Sequence, residues 1–244
     1  MPGNRQIDAE GRASAGSRLQ VQIHVNRRHE YLSQSVLDSL PDLSSSVSVL
    51  QWVSVLESEH FEEHRDAAFL RRLGLIGLWP KLRGFWPRGG PRWDALAIAP
   101  GAGGPTGHGV VIVEAKSHPS EVYGPGCRAS GQSRRLIERA LRQTKEWLGV
   151  RPEADWMGDL YQTANRLAHL YFLRQVGGVP AWYVGLYFLN DRSRPSFATT
   201  EDQWHSEIRA IKERLGLGSS GVPHAAEVFL QAREPGELLS PPSR

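Results

Sequence analysis

Three side chains stand out for the chemistry their types and spacing allow: Asp94, Glu114 and Lys116. The last two close the apolar run VVIVEAK, residues 110–116, which reads as a strand buried on both faces. Strand side chains alternate, so Glu114 and Lys116 share one face and Ala115 takes the other. Asp94 opens a second strand over 93–99, and a glycine-rich link joins the two runs as an antiparallel hairpin. A turn centred on residue 104 sets Asp94 opposite Glu114, with both carboxylates on the face that carries Lys116. Carboxylates this close raise each other's pKa, and a divalent cation relieves the repulsion. Magnesium takes a few carboxylates and keeps waters for substrate phosphates, and manganese is the alternative. Such a cation polarises a phosphoryl oxygen and acidifies a bound water. Lys116 would orient that water or offset the charge of the transition state. The chemistry that fits is phosphodiester hydrolysis.

The elements that must position these groups follow from periodicity. Residues 19–25, LQVQIHV, alternate as a strand does, 29–39 read as a helix, and 46–55 read as a second strand. Residues 1–18 are expected to form a disordered arm and 19–56 an N-terminal β-α-β extension. A helix over 57–73 follows, with Ser58 as N-cap and glutamates in its first turns. Residues 75–92 read as a Gly/Pro/Trp-rich loop, and 117–133 as a second long loop. Helices are expected over 134–148, 159–175 and 201–215, a buried strand over 181–189 and a short one over 227–231. The sum is an α/β core over 57–234, a mixed β-sheet flanked by helices, with a flexible tail from 235 to 244.

The composition bounds the partners. The chain has 244 residues, 40% hydrophobic and 23% charged, with formal charge +3. Its single cysteine, Cys127, excludes an intramolecular disulfide and suits a cytoplasmic setting. No apolar run approaches the ~18 residues a membrane span needs. Charge is distributed unevenly: no acidic residue occurs from Ala67 to Trp93, a stretch that includes Arg71, Arg72, Lys81, Arg83, Arg88 and Arg92 beside four aromatic residues, Trp79, Phe85, Trp86 and Trp93. Basic and aromatic side chains together suit a phosphate-lined groove with stacking surfaces, although a solvated rim over core aromatics explains them too. Zinc spacings, the GxxxxGK[ST] phosphate loop and the GxSxG elbow do not occur.

Asp94, a glycine-rich turn and then Glu114-Ala115-Lys116 resemble the PD-(D/E)XK nuclease superfamily, the restriction-endonuclease-like enzymes. Trp93 stands where the name-giving proline would be. The resemblance spans roughly residues 57–190 and rests on three residues. It implies an αβββαβ core and a metal held by Asp94, Glu114 and the Ala115 carbonyl. It implies nucleic acid, DNA in the first instance, as partner, with the oligomeric state open and a homodimer among the options. It also implies an acid from the first core helix. Glu63, on the stripe with Ala67 and Leu70, is favoured over Glu62 for that place. A polar residue from the helix after the motif strand is implied as well. Gln162 is the first choice and Asn165 the second, on a stripe with Arg166 and His169. An ordinary amphipathic helix explains the same stripe.

Arg135, Arg139 and Arg142 form another helical stripe, and with Arg88 and Arg92 they are candidates to track phosphates; a solvated face is the alternative. His118 and Glu121 follow the motif lysine, but a loop position argues against a metal role. Without turnover, the same chain could be a nucleic-acid-binding module, or a partner-binding protein in which Glu114 and Lys116 are a local ion pair.

Overall fold

The computed structural model describes residues 7–104, 106–193, 198–218 and 221–240. Three helices come first: α1 (Gly16–Arg27), α2 (His29–Ser39) and α3 (Pro41–Ser44). They are followed by β1 (Gln51–Ser54), α4 (Asp66–Arg72), α5 (Trp79–Phe85), β2 (Ala95–Pro100) and β3 (His108–Lys116). The second half holds α6 (Gly131–Leu148), α7 (Tyr161–Tyr171), β4 (Ala181–Leu189), α8 (Glu201–Leu215) and β5 (Ala225–Gln231). The strands form one mixed five-stranded sheet in the order β1-β2-β3-β4-β5. β1, β2 and β3 are antiparallel neighbours, and β4 and β5 run parallel to β3 and to each other.

Two cores result, one on each face. Alternation along β3 sends Val110 and Ile112 into the core beneath α4–α8, and Val111, Val113 and Ala115 into the core beneath α1–α3. Parallel pairing of β3 with β4 requires a long crossover, which α6 and α7 supply; α8 serves β4 and β5 in the same way. Glu114 and Lys116 continue the even-numbered face of β3, so they emerge at its C-terminal end on the α7 side.

The N-terminal β-α-β extension is not what forms. Residues 19–25 are helical, and α1 packs across β3 as a layer of the same sandwich. The sequence alternates because all sides of this helix are buried, polar positions included. Each polar residue has an internal partner: Gln20 donates to Arg233 O, Gln22 to Gly11 O, and His24 Nδ1 pairs with Gln20 O. The 46–55 strand shrinks to β1. The disordered arm is also corrected from Ile7 onward, where a bridge pairs Ile7 with Ala13; residues 1–6 lie outside the described part. The expected tail contains a short helical turn, Pro235–Leu239, with Leu238 buried; residues 241–244 lie outside the described part.

The 57–73 helix is likewise corrected. Glu57–Glu59 makes one tight turn, and helix begins only at Asp66. Left-handed backbone at His60 and Phe61 turns the fully buried Phe61 ring into the core, which a continuous helix would forbid. Ser58 therefore caps nothing. The 75–92 loop contains α5, whose Pro80 lies in the first turn, where its missing N–H does no harm.

Candidate active site

The hairpin register pairs Ala95 with Val113 and Leu96 with Ile112, which sets Asp94 opposite Glu114 one step further on. Asp94 N–H donates to Val113 O at 3.2 Å. Its Oδ2 accepts from Ala115 N–H at 2.8 Å, so the side chain stands in for a strand partner beyond the end of β2. Asp94, Glu114 and Lys116 line one cleft of about 630 Å³, together with Glu63, Gln162 and Arg166.

Glu114 is the hub of the charges. Lys116 Nζ donates to its Oε1 at 2.6 Å and Arg166 Nε to its Oε2 at 2.6 Å. Arg166 is itself fixed: Nη1 donates to Asn165 Oδ1 at 2.9 Å, Nη2 to Arg92 O at 3.1 Å, and the guanidinium lies 5.1 Å from the centre of the Trp93 ring. Burial pushes the Glu114 carboxyl up, but Arg166 and Lys116 outweigh it and hold the pKa below its usual value. Burial likewise pulls Lys116 down, and Glu114 and Asp94 more than restore it. Asp94 has no guanidinium. Burial first, then the charges of Glu114 and Glu63, raise it to about 7 against the pull of Lys116.

The other expected residues divide. Glu63 lines the cleft, from the irregular segment before α4 rather than from a helix, and is buried against Arg18 Nε at 3.0 Å. Glu62 is exposed, and its carbonyl accepts from Ser54. Gln162 lines the cleft from the first turn of α7, while Asn165 is buried as a partner of Arg166. His169 is buried with Nδ1 on Asn165 O, and burial lowers its pKa to about 4; it is a packed histidine. Arg92 lines the cleft; Arg88 is exposed on the preceding loop, and Arg135, Arg139 and Arg142 line a separate shallow depression on α6. Glu121 reaches the cleft wall, but its two oxygens accept from Ser17 Oγ and Ser117 N–H. His118, in the same loop, contacts Ser120.

Arg166 stood on the polar stripe of the sequence without a role in the site, and Arg18 was not singled out. A signal for Arg166 existed, since a cation on a stripe of an otherwise buried helix needs a partner. Arg18 lay in a segment read as disordered and offered none.

No protein-family model, curated protein or solved structure matches the chain. The chemistry must be argued from the cleft alone. Among the described residues, no three acidic, histidine or cysteine side chains are grouped to hold a metal. Two carboxylates are grouped, Asp94 and Glu114, and magnesium is commonly held by one or two, with water and phosphate completing the shell. Burial first, and then the charges of Glu114 and Glu63, raise the Asp94 pKa, and a cation beside the carboxylate would offset both. By that criterion Asp94 and Glu114 are the residues that could hold a hard divalent ion.

Proposed function

We propose that the cleft hydrolyses phosphodiester bonds of nucleic acid with magnesium or manganese, as a member of the PD-(D/E)XK nucleases. The observation that carries this reading is the meeting of Asp94, Glu114 and Lys116 on one face at the end of a hairpin, within a cleft edged by Arg92 and Arg166. The reading is supported by an order that reduces to αβββαβ when α1 (residues 16–27) is taken as the first helix, α2–α5 as additions and α6–α7 as the crossover to β4. The cation would acidify the attacking water and polarise the phosphoryl oxygen. Lys116, released from Glu114, would stabilise developing charge on the phosphoryl group. Arg166 keeps Glu114 ionised and aimed, and Gln162 at the rim can hydrogen-bond a phosphate oxygen or the water.

The test is cleavage of labelled single- and double-stranded DNA and RNA with magnesium, manganese or EDTA. Metal-dependent cutting that falls by at least about 10²-fold in Asp94→Ala and Lys116→Ala is the expected result. Absence of cutting by the folded protein, together with no magnesium effect on Tm, overturns it. A second reading has one observation in its favour. Both Glu114 oxygens are already held by Lys116 and Arg166, as in a site that binds nucleic acid without turnover. Binding that survives Asp94→Ala with no cutting would select it.

A further inference from the structure

The basic stretch and the α6 stripe meet in space. α5 packs on α6, and Arg139 Nη2 donates to Gly84 O at 2.7 Å. Arg83, Arg88, Arg92, Arg135, Arg139 and Arg142 are all exposed, and none makes an ion pair among the described residues. Among the carboxylates of α6, Glu138 is held by Arg134 at 2.8 Å, and Glu146 is exposed near the helix end. The cations are arginines, whose planar fork matches phosphate oxygens in pairs. Arg92 belongs both to this surface and to the cleft.

The aromatic residues decide what kind of polyanion fits. Proteins that hold single strands stack bases on exposed rings. Here Phe85, Trp86 and Trp93 are buried, and Trp79 is half-buried beneath Arg83, 5.7 Å from its ring centre. Three of the four stacking surfaces expected from the sequence are therefore core, and the fourth, Trp79, is overlain by Arg83. What remains outside is mainly guanidinium, with the Lys81 ammonium, which suits a duplex read through its backbone. We infer that the surface formed by α5, the 86–92 loop and the outer face of α6 binds the phosphate backbone of double-stranded nucleic acid, and that the substrate of the cleft is a duplex reaching beyond the scissile bond.

The reach follows from the helices. Phe85 packs on Tyr171 and Phe172 at the far end of α7, five residues from Arg166. That is about 7 Å along α7, and α6 lies a helix spacing of about 8–10 Å across it, so its axis is about 11–12 Å away, with the arginines extending beyond. At about 3.4 Å per base pair this is at least about three pairs.

This inference rests on the nuclease reading for the word substrate, so its test is made without cleavage. Binding of a labelled 20-base-pair duplex, a 20-nucleotide single strand and a 4-base-pair hairpin is measured by anisotropy in EDTA across a salt series. The proteins are wild type, Arg135→Gln/Arg142→Gln, and the triple variant with Arg139→Gln; the double variant leaves the Gly84 contact intact. The long duplex should bind tightest. Its log Kd against log salt slope should fall by about 0.9 for each arginine lost, about 2 in the double variant. An unchanged slope in both variants, or tighter binding of the single strand, overturns the inference even if the protein cuts. A slope that falls in a protein that never cuts supports the surface while rejecting the nuclease reading.

Discussion

Arg166→Gln should be the most informative single change in the cleft. The substitution removes the guanidinium from Glu114 Oε2, where Nε stands at 2.6 Å, and leaves Lys116 on the other oxygen. Both partners are about nine-tenths buried, at 9% side-chain exposure each. Breaking a buried pair by removing one partner costs about 3–5 kcal/mol, because the remaining charge keeps its desolvation penalty. Lys116 stays, which argues for the low end, about 3 kcal/mol. In a chain of this size each kcal/mol moves Tm by about 2–4 °C, so a fall of about 6–12 °C is expected. Urea unfolding followed by tryptophan fluorescence and calorimetry measures it. Glu114→Gln should remove most of the Arg166 effect, so the double variant should be less destabilised than the sum by about 2 kcal/mol. A Tm loss under about 2 °C for Arg166→Gln, or strict additivity with Glu114→Gln, would refute the view that this pair is the centre of the site.

Asp94, raised to about 7 in the fold, favours the protonated native state, so its contribution is fully present below the unfolded value near 4 and is lost as pH rises through 7. Asp94→Asn should therefore gain stability relative to wild type at pH 8 compared with pH 4, which parallel melts at the two pH values would reveal. Magnesium should raise Tm more at pH 8 than at pH 6, because it binds the ionised carboxylate; equal shifts would count against the metal reading. Glu63→Gln removes one of the charges that raise Asp94, so the carboxyl should titrate lower, as carbon-detected NMR would report. Asp66 accepts from Gly89 and Gly90 N–H at 3.0 Å each, so Asp66→Ala should cost about 1–2 kcal/mol and speed amide exchange in the loop that carries Arg92.

The hairpin was legible because it is governed by counting: once the turn centre is known, the partner of Asp94 follows, and β2 and β3 pair in that register. Helix α8 was equally plain, since a capping box at Thr200 and Gln203 opens it and Gly216 in left-handed backbone ends it. What failed shared one cause. Periodicity reports a boundary between core and water, and α1 has none, since Gln20, Gln22 and His24 are as buried as Leu19, Val21 and Ile23. The 57–73 segment failed for a related reason, because the buried Phe61 needs backbone that a helix cannot give. The site divides along the same line. Asp94, Glu114 and Lys116 belong to a local motif. Glu63 was expected on a helix stripe that does not form, yet it lines the cleft from the segment before α4. Arg18 and Arg166 arrive by tertiary packing, and of these two only Arg166 left a trace, as a cation on a helix face that is otherwise buried.

The anchoring of α1 also sets a schedule for synthesis. Its first residues wall the cleft, yet its fixings are far along the chain: Gly16 on Ser193, and Gln20 on Asp191 and Arg233, the last 213 residues away. Contacts of such separation form late and slowly. A growing chain can pair β2 with β3, and with α7 exposed from the ribosome it can bring Arg166 to Glu114. It cannot seat the wall of the cleft until β4 and the segment after β5 have emerged. Assembly of the complete cleft is thereby deferred until the chain through Arg233 has been made, well after the catalytic hairpin can pair.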